Sequence, residues 1–99
     1  YGSVLYWEYG SDTVTLEGSR ALARALRAAT RYPLAGAGGL DAGGFKDWAM
    51  EMRSIPSVTV EIGTRECPLP LSEFPSIWER NRDVLTVLGE LVIAKGGLR

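Results

Sequence analysis

The 99-residue sequence predicts a small α/β unit, and three observations predict it. Two β-branched and aromatic stretches, Gly2 to Tyr9 (GSVLYWEY) and Val58 to Thr64 (VTVEIGT), read as strands. Around them the apolar residues fall at helical spacing, over Glu17 to Arg31, over Phe45 to Met52 and from Ser72 onward. No internal repeat and no linker interrupts the order strand, helix, loop, short helix, strand, helix, as expected of one unit.

The first strand gives way to Gly10-Ser11-Asp12, which is turn chemistry. In the helix predicted over Glu17 to Arg31, Ala21, Leu22, Ala25, Leu26 and Ala29 form one apolar face. Arg20, Arg24, Arg27 and Arg31 recur at i, i+4, i+7 and i+11 on another, and Pro33 is expected to end the helix. Ala35 to Gly44 (AGAGGLDAGG) is a glycine-rich loop; it lacks the Lys-Ser/Thr ending of a phosphate-binding loop. After the short helix, Ser54-Ile55-Pro56 leads into the second strand, and Thr64 to Leu71 is an irregular, proline-punctuated loop. Ser72 is expected to cap the last helix, with Pro75 in its first turn. Phe74, Ile77, Trp78, Leu85, Leu88, Leu91 and Val92 then give a long apolar stripe that stops at Gly96-Gly97. That helix carries more apolar surface than two strands cover, so further strands are expected and the chain reads as a fragment.

Composition narrows the function. Apolar residues make up 45% and charged residues 23%, with a net charge of −1, so no global field recruits nucleic acid or an anionic membrane. The arginine stripe reads as a solvated helix face, because Glu17 shares the helix and no aromatic residue interleaves with it. The single cysteine, Cys67, excludes an internal disulfide, and no leader or membrane-spanning run stands out. There is no histidine, so these residues alone assemble neither a zinc site of the usual kind nor a Ser-His or Cys-His nucleophile pair.

Two charged residues remain as candidates. Glu61 sits in an otherwise strand-forming run, where it is either a solvent-facing carboxylate on an edge strand or a catalytic base at a strand's carboxyl end. Lys46 lies in the first turn of a predicted helix, where the dipole mildly disfavours a cation. It is either an exposed lysine or, if it points into a cleft, an anchor for a substrate carboxylate.

Three stretches in order carry a resemblance: YGSVLYWEYG, GGFKDW, and VTVEIG followed by PLPLSEFPSIWERN. Together they resemble the C-terminal part of the carboxypeptidase A-like zinc metallopeptidases. GGFKDWAM with VEIG and PLPL is most similar to the bacterial γ-D-glutamyl-meso-diaminopimelate peptidases of that family. The resemblance implies a single partial domain over residues 1–99, with a mixed sheet flanked by helices. It implies a peptidase that uses zinc in the full-length protein and cuts peptidoglycan stem peptides, which would place it at the cell envelope. Glu61 matches the general base, Lys46 the floor of the pocket that selects the substrate side chain, and Tyr1 a subsite residue beside the metal. Asp47 and Trp48 match the frame of that pocket. The last zinc-binding histidine would fall two residues before Tyr1. None of the family's metal ligands is present here, so the fragment alone is expected to bind no catalytic zinc and hydrolyse nothing. The tyrosine that classical members carry before Gly-Gly is missing from Gly36 to Asp41. A non-catalytic, zinc-less module that binds peptides or cell wall on the same fold is the alternative.

Overall fold

The computed structural model describes residues 2–35, 44–64 and 66–94. They form a small mixed α/β domain. Its strands are β1 (Val4–Tyr6), β2 (Leu34–Ala35) and β3 (Thr59–Glu61). Its helices are α1 (Thr13–Thr30), α2 (Phe45–Arg53), α3 (Phe74–Asn81) and α4 (Val84–Ala94), with a 3₁₀ turn over Leu71–Glu73 before α3. The sheet order is β2-β1-β3. β1 runs parallel to β2, with Leu5 opposite Leu34, and antiparallel to β3, with Val4, Leu5 and Tyr6 opposite Glu61, Val60 and Thr59. The parallel pair is possible because α1 carries the chain back across the sheet.

α1 begins earlier than its apolar pattern suggests, because Asp12 caps it. The Asp12 carboxylate accepts from the Val14 N–H at 3.2 Å and the Thr15 hydroxyl at 2.6 Å. The helix stops where Arg31 turns left-handed (φ 64), and Pro33 lies just beyond that stop. Its buried stripe is also more polar than the alanine-leucine face predicted for it. Leu22, Ala23 and Leu26 are buried together with Thr15, Ser19 and Thr30, while Ala21, Ala25 and Ala29 are only half-buried. Each buried hydroxyl has a partner. Ser19 accepts from the Ser57 N–H at 2.8 Å, and Thr30 donates to the Leu26 carbonyl and accepts from the Tyr32 N–H. Hydrogen-bonded hydroxyls enter a core at little cost.

The core joins β1, α1 and the segment after it. Leu5, Leu26 and Tyr32 are fully or almost fully buried, with Leu34, Val58, Val60, Val84, Val87 and Leu88 packed around them. Gly18 lets the β3 approach lie against α1, since a Cβ there would meet Pro56 Cγ at 2.5 Å.

The predicted last helix is two helices with a break at Arg82–Asp83. Before the break, Asn81 donates from its side-chain amide to the Ile77 carbonyl and the Tyr32 hydroxyl, each at 2.9 Å. After it, the Asp83 carbonyl takes the first bond of α4, from the Val87 N–H at 2.9 Å. Ser72 lies inside the 3₁₀ turn rather than at a cap, and Glu73 precedes α3 without a side-chain capping bond. α3 and α4 bury no residue fully. Of the apolar stripe read from the sequence, Phe74, Trp78 and Leu85 are exposed by 61%, 56% and 81%, as is Ile93 beside it by 80%, while Ile77, Leu88, Leu91 and Val92 are half-buried, so the stripe is only partly covered by the described residues.

Candidate functional site

Glu61 closes β3 and stands opposite Val4 at the amino end of β1. Beyond that pair the two strands stay joined. The Gly2 N–H and the Ser3 hydroxyl both donate to the Gly63 carbonyl, at 3.1 and 2.8 Å. The side chain of Glu61 turns towards this junction, for a Cβ placed on Gly2 would lie 3.7 Å from Glu61 Oε2. Glu61 is half-buried rather than fully solvated. Gly63 makes the turn that ends the strand: its φ is +80, and a Cβ there would meet Leu69 Cδ1 at 2.5 Å.

Lys46 occupies the first turn of α2, yet it is only 9% exposed. Its ammonium donates to the Asp47 carboxylate and to the Glu8 main-chain carbonyl at 3.3 Å, and lies 5.5 Å from the centre of the Tyr9 ring. Asp47 also accepts from the Gly44 N–H at 3.4 Å through its second oxygen, the acidic arm of a capping box. These partners offset the unfavourable helix dipole at Lys46. Trp48, the other residue of the frame, is 51% exposed and sits beside Phe45, with ring centres 5.6 Å apart. Tyr1 lies outside the described residues, as does the Gly36 to Asp41 stretch.

The two candidates therefore attach to opposite ends of β1, Glu61 near Val4 and Lys46 near Glu8, a span of about 13 Å of extended chain. A cavity of about 330 Å³ opens on the Lys46 side, lined by Leu22, Leu26, Phe45, Lys46, Pro56, Ser57, Val58, Thr59, Val60, Val84 and Leu88. Among the described residues Lys46 is the one charged residue on this lining, and Glu61 is not part of it. Thr59 links the two places, because it lines the cavity and shares a face of β3 with Glu61, two residues on. Glu8, Tyr9 and Thr59 are neighbours the sequence did not single out. Glu8 and Tyr9 follow directly on β1, and their link to α2 depends on a long-range approach that no local pattern encodes.

Several other charged and reactive groups among the described residues look outward. Arg24, Arg27 and Arg31 are exposed, while Arg20 pairs with Glu17 at 3.8 Å and lies 4.9 Å over the Trp7 ring. Cys67 is exposed. Among the described residues no group of three or more His, Cys, Asp or Glu side chains is placed to hold a metal, and no helix is long and apolar enough to cross a membrane. Comparison of the chain with protein families, curated proteins and solved structures yields no match.

Proposed function

We propose that the chain is the C-terminal part of a carboxypeptidase A-like zinc peptidase acting on bacterial cell-wall peptides, with Glu61 as general base and Lys46 as the residue that selects the substrate side chain. The observation that carries this reading is the position of Glu61 over Gly2, at the amino end of β1. The resemblance brings the last zinc-binding histidine to that same end, two residues before Tyr1. The mixed sheet with helices packed on it is compatible with the same fold.

The residues present do not fit a zinc ion by themselves. The chain has no histidine, and the described residues hold no ligand cluster. What this chain contributes is therefore proton transfer and selection. Glu61, half-buried at a strand end, accepts a proton from an attacking water and returns it to the leaving amine. Lys46, at the edge of an apolar cavity, holds a carboxylate-bearing side chain.

In the full natural protein, Glu61→Gln is expected to lower the turnover of wall peptides by about 10²–10⁴-fold while leaving bound zinc unchanged. Near-normal turnover would remove Glu61 from the reaction. One observation favours a second reading: Glu61 is absent from the cavity that Lys46 lines. A zinc-less wall-binding module on this fold needs only the Lys46 side. It would be selected by a full natural protein that binds wall peptides and carries no zinc.

A further inference from the structure

The fold leaves most of the arginine stripe on α1 without partners. The twelve residues from Arg20 to Arg31 carry four arginines and no acidic residue, although the whole chain has a net charge of −1. Arg20 is half-buried, paired with Glu17 and seated over the Trp7 ring. Arg24, Arg27 and Arg31 are exposed, and among the described residues their side chains make no ion pair or hydrogen bond. We propose that these three arginines form a docking face for a linear phosphodiester polymer without bases, each guanidinium taking one phosphate along the chain.

Folding does not account for the stripe. Like charges one turn apart on a helix repel, and Arg24 faces Arg20 on one side and Arg27 on the other, with Arg31 a turn further. The helix dipole favours cations in the last turn, which covers Arg27 and Arg31 but not Arg24. Nor is this a face that further structure closes over, because burying guanidinium groups without partners is strongly unfavourable. An anion that binds from solution removes the repulsion and leaves the groups wet.

The surroundings choose the anion. Arg24 and Arg31 stand about 10 Å apart along the helix axis, with Arg27 between them, a line rather than a pocket. A line of charge suits a chain that repeats its own charge, and the planar guanidinium takes a phosphate through two hydrogen bonds. Bases have nothing to stack on, since Trp7 and Tyr32, at the two ends of the stripe, are only 8% and 1% exposed. A membrane-docking helix presents large apolar side chains to the lipid, whereas the one exposed apolar residue among these arginines is Ala28. An acidic peptide would likewise lack an apolar anchor here. A phosphate chain needs only charge and the release of its counterions. This inference uses neither Glu61 nor Lys46 and does not rest on the peptidase reading.

The test uses the full natural protein and poly(glycerol phosphate) chains, with binding followed by calorimetry over a range of salt. Three phosphate contacts predict a slope of log K against log salt of about −2, so that binding weakens about 15-fold between about 50 and 200 mM salt. Arg24→Gln and Arg27→Gln should each bring that slope about 0.7 closer to zero. Arg31→Asn should do the same, because asparagine keeps the left-handed turn at that position. The triple variant should show almost no salt-dependent binding while keeping its melting temperature. If the triple variant does not fold, the three single slopes decide. No binding at about 50 mM salt, or slopes that the substitutions leave unchanged, overturns the inference. So does tighter binding of oligothymidylate or poly-glutamate of equal charge, or of vesicles containing phosphatidylglycerol, since each would name another partner.

Discussion

The Lys46 ammonium donates to the Glu8 main-chain carbonyl at 3.3 Å, which ties the first turn of α2 to the segment leaving β1, 38 residues earlier. The residue proposed to select substrate is thereby also a tie between two parts of the fold. Its charge stays buried because Asp47 is bonded to it and Tyr9 lies across it.

Removing that charge alone should cost stability. Lys46→Met keeps much of the side-chain volume but removes the Lys46–Asp47 ion pair, and is expected to lower the unfolding free energy by about 3 kcal/mol. Lys46→Met with Asp47→Asn should recover part of the loss, since both members of the ion pair are then neutral. Denaturant unfolding of the two single variants and the double variant measures the coupling. Additive losses would mean that the pair does not act as a unit.

Gly18 presents two opposing effects of known sign. Alanine is the better helix former by about 1 kcal/mol. The added methyl, however, would stand 2.5 Å from Pro56 Cγ and 3.0 Å from its Cβ, on a ring with no rotamer to retreat into. Overpacking of this kind costs about 1–3 kcal/mol, so Gly18→Ala should destabilise by about 1 kcal/mol net. A higher melting temperature for the variant would show that the β3 approach can shift away from α1.

Ser19 anchors that same approach by a polar bond. It is fully buried and accepts from the Ser57 N–H at 2.8 Å, while its own hydroxyl points at Met50 Sδ, 3.5 Å away. Ser19→Ala leaves the Ser57 N–H without its acceptor and should cost about 1–2 kcal/mol. Backbone hydrogen exchange at Ser57 offers a local check, because its protection should fall more than that of the β1 amides.

The large elements were legible because their signals are local. Helical periodicity marks α1 and α2, and the run of β-branched residues marks β3. What escaped depends on contacts far away in sequence. β2 is only Leu34–Ala35, too short for any periodicity, and exists because it pairs with Leu5 and Tyr6. The break before α4 comes at Asn81-Arg82-Asp83, where Asn81 bonds to Tyr32, 49 residues earlier. Leucine spacing continues across that point and hides the break. In the same way Glu61 and Lys46 were singled out by residue type and setting, whereas the neighbours that define their surroundings, Gly2, Glu8, Tyr9 and Thr59, came only from the pairing of β1 with β3 and from the seat of α2. Asp12 is different: it was read as part of a turn, although an aspartate directly before Thr13-Val14-Thr15 is a capping signal available in the sequence.

The exposed apolar residues of α4 give the last prediction, which bears on whether the chain is part of a larger domain. Leu85 and Ile93 on α4 are 81% and 80% exposed, and a lysine at either position meets mainly water in this chain. In the isolated 99 residues, Leu85→Lys and Ile93→Lys should each change the unfolding free energy by no more than about 0.5 kcal/mol, as surface substitutions do. In the full natural protein the proposed reading places further structure against this apolar face. The same changes would then bury a charge and remove apolar contact, at a cost of about 2–5 kcal/mol. Parallel denaturant curves for the two lengths decide the matter. Equal, small effects in both would mean that α4 faces solvent in the natural protein too, and the reading as a partial domain would lose its physical basis. A large effect confined to the longer chain would identify α4 as a covered interface and explain why its sequence is so apolar.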